Sequence, residues 1–171
     1  MKKTNLGKGF EKCIENSLKP YTSIDRLPDP VGGYSGIRNI CDYTCYKYPY
    51  NYYLECKCTY ENTLNFKSAI TEDQWQGLLE KSKYYGVLAG ICIWFISYEV
   101  TIFVPIQQLE QLKQDGKKSL NIKDINENNE LMYFNIPGRK KRTYFDYDGK
   151  LFLQELVNLC EQVNKDNGEQ I

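Results

Sequence analysis

The residues best placed to do chemistry in this chain are Asp42 and, after twelve intervening positions, the run Glu55-Cys56-Lys57, with Glu11 upstream and Gln74 downstream. Two carboxylates, a backbone carbonyl and water are the hard oxygen donors that a divalent cation such as Mg²⁺ takes without a closed protein cage. Asp42 and Glu55 suit that role, and the carbonyl of Cys56 directly follows Glu55 in the chain. Lysine two positions after a glutamate projects from the same strand face. There its ammonium can hold or help deprotonate an attacking water and offset charge on a phosphorane-like transition state, which is the chemistry of phosphodiester hydrolysis. Each residue also has a plain structural reading. Glu-x-Lys can decorate a solvated strand, Thr71-x-x-Gln74 fits a capping box, and Glu11 can be an ordinary helix carboxylate.

Composition narrows the alternatives. The 171 residues contain no histidine, which excludes Ser-His-Asp and Cys-His hydrolysis, His-ligated zinc and imidazole base catalysis. Lys+Arg and Asp+Glu both number 22, so any grip on a polyanion must come from local clustering. The seven cysteines lack both the spacing of a secreted scaffold and CxxC knuckles, so they read as reduced thiols of a cytoplasmic protein. No apolar run reaches the ~18 residues of a membrane span.

The elements that must position these groups follow from periodicity. A helix is expected over Asn5–Leu18 with Phe10, Cys13, Ile14 and Leu18 on one face, which places Glu11 at the border of that stripe and Glu15 further toward water. Tyr21–Gly36 reads as an irregular loop carrying Arg26. A β-hairpin follows, Arg38–Tyr46 and Tyr52–Tyr60, its turn at Lys47–Asn51. Alternation puts Tyr53, Glu55 and Lys57 on one face and Leu54, Cys56 and Cys58 on the other, so the apolar set packs inward and the charged set lines a surface. A helix over Glu72–Tyr84 opens at Thr71, and a buried strand Val87–Ser97 pairs with Val100–Pro105. Gln107–Gln114 is a short helix, Lys117–Asn135 a loop with short pieces of structure, and Lys150–Lys165 a helix with a wide apolar stripe. The basic run Arg139, Lys140, Lys141 and Arg142, together with Arg26, Arg38 and Lys47, is the candidate phosphate-binding set, a solvated turn being the alternative for the run. The tyrosines between Tyr43 and Tyr60 either stack on bases or pack a sheet.

The ordered series Asn5-Leu6-Gly7-Lys8-Gly9-Phe10-Glu11, Cys41-Asp42-Tyr43, Leu54-Glu55-Cys56-Lys57, Gln74, Gly90–Ile96, Val104-Pro105 and Gly116-Lys117-Lys118-Ser119-Leu120 resembles the RecU-type Holliday junction resolvases of the PD-(D/E)xK nuclease superfamily, in particular the short forms of phages and mobile elements. The resemblance covers most of residues 5–125; residues 126–171 add a basic segment and a last helix. It implies one nuclease domain built on a mixed α/β sheet flanked by helices, dependence on Mg²⁺ or Mn²⁺, and a homodimer making paired nicks in a four-way junction that leave 5′-phosphates. By position, Asp42 and Glu55 would be metal ligands, Lys57 the catalytic lysine, and Gln74 and Glu11 supporting residues. A nuclease of the same superfamily cutting duplex or damaged DNA, or a noncatalytic DNA-binding relative, is the competing expectation. For the dimer, the expected contact surfaces are the strand Val87–Ile96 and the last helix.

Overall fold

The computed structural model describes residues 4–28 and 39–168. Helix α1 (Thr4–Leu18) buries Leu6, Phe10, Ile14 and Leu18 at helical spacing, as expected. The stretch after it is not wholly irregular: Ser23–Arg26 forms β1, an edge strand paired antiparallel with β2 (Tyr43–Lys47). With Ile24 its one apolar, half-buried residue, this four-residue stretch carries no alternation long enough to announce a strand, and pairing to β2 defines it. Strand β2 forms a hairpin with β3 (Tyr50–Thr59), so the hairpin is as expected, though its first strand starts at Tyr43. Arg38, expected at that strand's start, lies outside the described residues.

Beyond β3 come β4 (Thr63–Asn65), the short α2 (Phe66–Ala69) and α3 (Glu72–Ser82). Strand β5 (Val87–Phe95) returns parallel to β3, and β6 (Val100–Pro105) runs antiparallel to β5. Helix α4 (Ile106–Gln114), β7 (Ser119–Asn121), α5 (Ile122–Glu127) and β8 (Phe134–Asn135) follow, and then the hairpin of β9 (Gly138–Lys140) and β10 (Phe145–Tyr147). Helix α6 (Gly149–Gly168) closes the chain.

The central sheet has the order β1-β2-β3-β5-β6-β8, mixed because β3 and β5 are parallel while the other pairs are antiparallel. Helices cover both faces, which is the α/β architecture expected from the sequence. On one face Tyr43, Cys45, Tyr52, Leu54, Cys92, Trp94 and Phe103 meet α1, α6 and the β9–β10 hairpin. On the other, Ala89, Ile91, Ile93, Phe95, Ile102 and Val104 meet α3 and α4. The strands of a sheet covered on both sides read as apolar runs, as β5 does.

This double coverage corrects two expectations. The face bearing Tyr53, Glu55 and Lys57 is not a surface, because α3 lies over it and Glu55 is 2% exposed. The strand and helix expected to meet a second copy are both used within the chain: β5 is central, and α6 buries Phe152, Leu156, Leu159, Cys160 and Val163 against the same core as α1. Tyr43 and Tyr52 pack in that core, whereas Tyr46, Tyr48 and Tyr60 are exposed.

Candidate active site

Asp42 sits where the chain enters β2. Its backbone N–H donates to the Leu54 carbonyl at 3.1 Å, and its own carbonyl accepts from the N–H of Leu27 at 2.9 Å, so it is clamped between the exit of β1 and β3. Pairing starts at Tyr43 opposite Leu54. One step further out Asp42 stands opposite Glu55, which puts the two side chains on the same face. The Asp42 carboxylate reaches along the sheet and accepts from the Cys56 N–H through Oδ2 at 2.8 Å. A strand residue's N–H and C=O point to the same flank, so the Cys56 carbonyl also faces the ground beyond the start of β2, where no β2 residue pairs with it. The Cys56 thiol points into the other face beside Cys92; their contact and burial push it upward, so it is inert.

Glu55 carries the strongest local constraint. Its Oε1 accepts from the Lys57 ammonium at 2.7 Å and from Gln74 Nε2 at 2.8 Å, while Oε2 is buried without a hydrogen-bond partner among the described residues. An orphaned carboxylate oxygen is costly to bury. Burial first, and the nearby Asp42 carboxylate second, push Glu55 up to about 7 against the opposing pull of Lys57. Burial and the same two carboxylates push the Cys41 thiol up to about 12. Lys57 is 23% exposed and leads from Glu55 toward solvent.

The two readings of Gln74 hold together. Its Oε1 accepts from the Thr71 N–H at 3.1 Å and its own N–H donates to the Thr71 hydroxyl at 3.3 Å, a complete capping box. That fixes which end of the amide faces the cap, and leaves the NH₂ end aimed at Glu55. Sequence reasoning treated cap and site as alternatives; the two ends of one side chain serve both.

Among the described residues no group of three or more His, Cys, Asp or Glu could hold a metal ion. Two carboxylates and a carbonyl are nevertheless an all-oxygen donor set suited to a cation that keeps much of its water. The unpartnered Oε2 of Glu55 is the atom such a cation would satisfy. The residues present therefore fit a hard divalent ion.

Glu11 accepts from Arg26 at 3.1 Å, and its charge adds to the upward push on Glu55, so α1 turns it toward the same space. Glu15 does not point further out, contrary to expectation: it is as covered as Glu11 and accepts from the Tyr43 hydroxyl at 3.4 Å. Arg26 thus joins the site's edge through Glu11. Lys47, at the far end of β2, stands five strand steps from Asp42, about 17 Å away. The basic run lies on β9 and the turn after it. With Cys13, Asn16 and Ser17 of α1, Arg139 and Lys141 line a cavity of about 870 Å³ on a flank of that helix well away from Glu11. Lys140 pairs with Glu99 at 3.0 Å and Lys141 with Asp146 at 3.6 Å. The structure does not bring this run to Asp42 and Glu55. Sequence reasoning gave no binding role to four other lysines, Lys67, Lys113, Lys117 and Lys118, which converge beside α3 from separate segments. Only Lys117 and Lys118 adjoin in sequence, which left little signal.

No family model matches this chain, and no curated protein matches it. Among solved structures, it is similar to Hjc, a Holliday junction resolvase from the archaeal hyperthermophile Archaeoglobus fulgidus. The likeness spans 68% of this chain and 89% of that one, at 19% identity and a TM-score of 0.49. Among the described residues no helix is long and apolar enough to cross a membrane.

Proposed function

We propose that this protein is a divalent-metal-dependent DNA endonuclease that hydrolyses phosphodiester bonds in branched DNA, four-way junctions in particular. The observation that carries the hydrolytic reading is the buried Oε2 of Glu55, without a hydrogen-bond partner among the described residues, in a carboxyl that the nearby Asp42 pushes upward and whose Oε1 is held by both Lys57 and Gln74. Asp42, Glu55 and the Cys56 carbonyl would hold Mg²⁺ or Mn²⁺. When bound, such a cation supplies Lewis acidity that offsets negative charge building on the phosphoryl oxygens.

The chain's own groups do the rest. Gln74 and Lys57 hold Oε1, which leaves the second oxygen of Glu55 for the cation. The Cys56 N–H holds Asp42 in register with it. Lys57, partly in solvent, donates to the attacking water and orients it at phosphorus. That water gives up a proton to bulk solvent and forms a new P–O bond as the bond to the 3′ oxygen breaks; the 3′ oxygen takes up a proton from solvent, leaving a 5′-phosphate and a 3′-hydroxyl. On this reading two symmetric nicks need two copies of the chain related as a C2 pair.

The test compares a four-way junction, linear duplex and single strand of the same sequences, incubated with Mg²⁺, with Mn²⁺ or with chelator. Paired nicks in the junction that need the cation are expected. Equal cutting of all three substrates would remove the branch preference, and no cutting in any cation would remove the nuclease.

A further inference from the structure

A second cavity, of about 650 Å³, lies where the start of α3 meets α2 and the turn after α4. Its floor is Phe66, Ile70 and Trp75, all buried, and its rim carries Lys67, Lys113, Lys117 and Lys118, all exposed. The placement of these lysines is built into the fold. Lys113 stands over the Trp75 ring at 4.6 Å, and that indole N–H donates to Glu110 at 2.6 Å. Gly116, at φ +86°, turns the chain back after α4, so that the Lys117 N–H reaches the Leu112 carbonyl at 2.9 Å. The Lys118 carbonyl accepts from the Phe66 N–H at 3.0 Å, next to the Asn65–Ser119 pair of β4 and β7.

Charge in this cavity is lopsided. Lys117 is matched by Asp124 at 2.5 Å, and Glu72 is the carboxylate in the wall. Among the described residues the ammonium groups of Lys67 and Lys118 have neither an ion pair nor a hydrogen bond. Clustered cations over an apolar floor create a local positive potential that a neutral total charge conceals. Thr71 belongs both to this wall and to the capping box of Gln74, whose other end is on Glu55. Two hydrogen bonds and an amide therefore separate the cavity wall from Glu55 Oε1, no more than about 8 Å.

We propose that this lysine-rimmed cavity binds the sugar-phosphate backbone of DNA beside the cleavage site, Lys67 and Lys118 each meeting a phosphate and Lys113 screening the floor. The inference rests on the nuclease reading above and adds where the strand runs: from Asp42 and Glu55 over the first turn of α3 to the end of α4. With one phosphate per ~3.4 Å of axis on each strand, the cavity wall at Thr71 lies within about three nucleotides of the cut.

The experiment measures binding of a labelled four-way junction and a linear duplex by anisotropy from 50 to 300 mM salt, in the uncut Asp42→Asn background. Lys67→Glu/Lys118→Glu is expected to weaken binding tenfold or more near 0.1 M salt and to flatten the log K against log salt slope by roughly two. The Arg139→Glu/Lys140→Glu variant has the same net charge change and is expected to move both far less. Lys67→Gln/Lys118→Gln, with its melt compared with the parent, guards against a folding defect and should lose the same slope. Neutral methylphosphonates within three positions of the nick should weaken the parent but not the lysine variants. A parent that binds DNA alongside lysine variants of unchanged affinity and slope would overturn this inference and leave the nuclease reading standing. A wild-type chain that binds no DNA would overturn both.

Discussion

Hairpin β2–β3 and hairpin β9–β10 both carry dense charge, but the protein surrounds them differently. In the first, Glu55 is buried under α3, shares one oxygen between Lys57 and Gln74, and leaves the other unpartnered. In the second, Lys140 and Lys141 lie at the surface against Glu99 and Asp146. Exposed pairs of that kind contribute little and are screened by salt. Charge density along a sequence is thus a poor guide to reactivity; what matters is whether the sheet and a covering helix take water away from the charge.

The largest effects should separate the two hairpins outright. Asp42→Asn, Glu55→Gln and Lys57→Ala are each expected to lower single-turnover cleavage at least ~10³-fold with junction binding within a few-fold of wild type. Near-normal cleavage by any of the three would break the comparison at its strong end. Position 74 sharpens it next. Gln74→Glu keeps the oxygen that accepts from Thr71 but sets a carboxylate against Glu55, so cleavage should fall about 10–100-fold with the melt nearly unmoved. Gln74→Ala loses the cap as well, at about 1 kcal/mol, or roughly 2–4 °C in melting temperature. If Gln74→Glu cuts normally, the amide serves only the helix.

Glu55 also gives the first hairpin a pH signature. Its pKa of about 7 lies above the ~4.3 of a free glutamate, so the folded chain binds the extra proton between those values. The resulting stabilisation is complete below about pH 4.3 and is lost as pH rises through about 7. In chelator, wild type should therefore lose about 1–3 kcal/mol relative to Glu55→Gln between pH 5 and pH 8, read as melting temperature, and Mg²⁺ should recover part of that loss at pH 8. Parallel pH profiles for the two proteins would mean that Glu55 is solvated. The smallest effect is expected from replacing Arg139, Lys140, Lys141 and Arg142 together by alanine, under about threefold in cleavage and in junction affinity at 0.15 M salt. A tenfold loss there would restore the run as a DNA contact.

Much of this was legible in the chain. Thr71 and Gln74 announced the start of α3, the unbroken apolar run of β5 announced a strand covered on both sides, and Asp42 with Glu55-x-Lys57 announced a cluster that the sheet brings together. What stayed hidden depended on contacts between distant segments. Tyr53, Glu55 and Lys57 alternate with Leu54 and Cys56 as a solvent face would, and only the docking of α3 and α4, written elsewhere in the sequence, turns that face inward. Ser23–Arg26 is a strand because β2 pairs with it. The four lysines around Trp75 meet through the pairing of β4 with β7 and the turn at Gly116, neither of which leaves a local charge run.

The parallel pairing of β3 with β5 also sets an order of events during synthesis. A hairpin can close as soon as both its strands exist, whereas parallel strands must wait for the crossover between them. When β3 leaves the ribosome, Asp42, Glu55 and Lys57 have all been made, but Glu55 still stands in water and Gln74 has no helix to hold it. The carboxylate is desolvated and its Oε1 held by Gln74 only after β5 has added beside β3 and α3 has folded down across them. A nascent chain thus carries these side chains for some time before it carries the candidate site, which is complete only once α3 and β5 have docked.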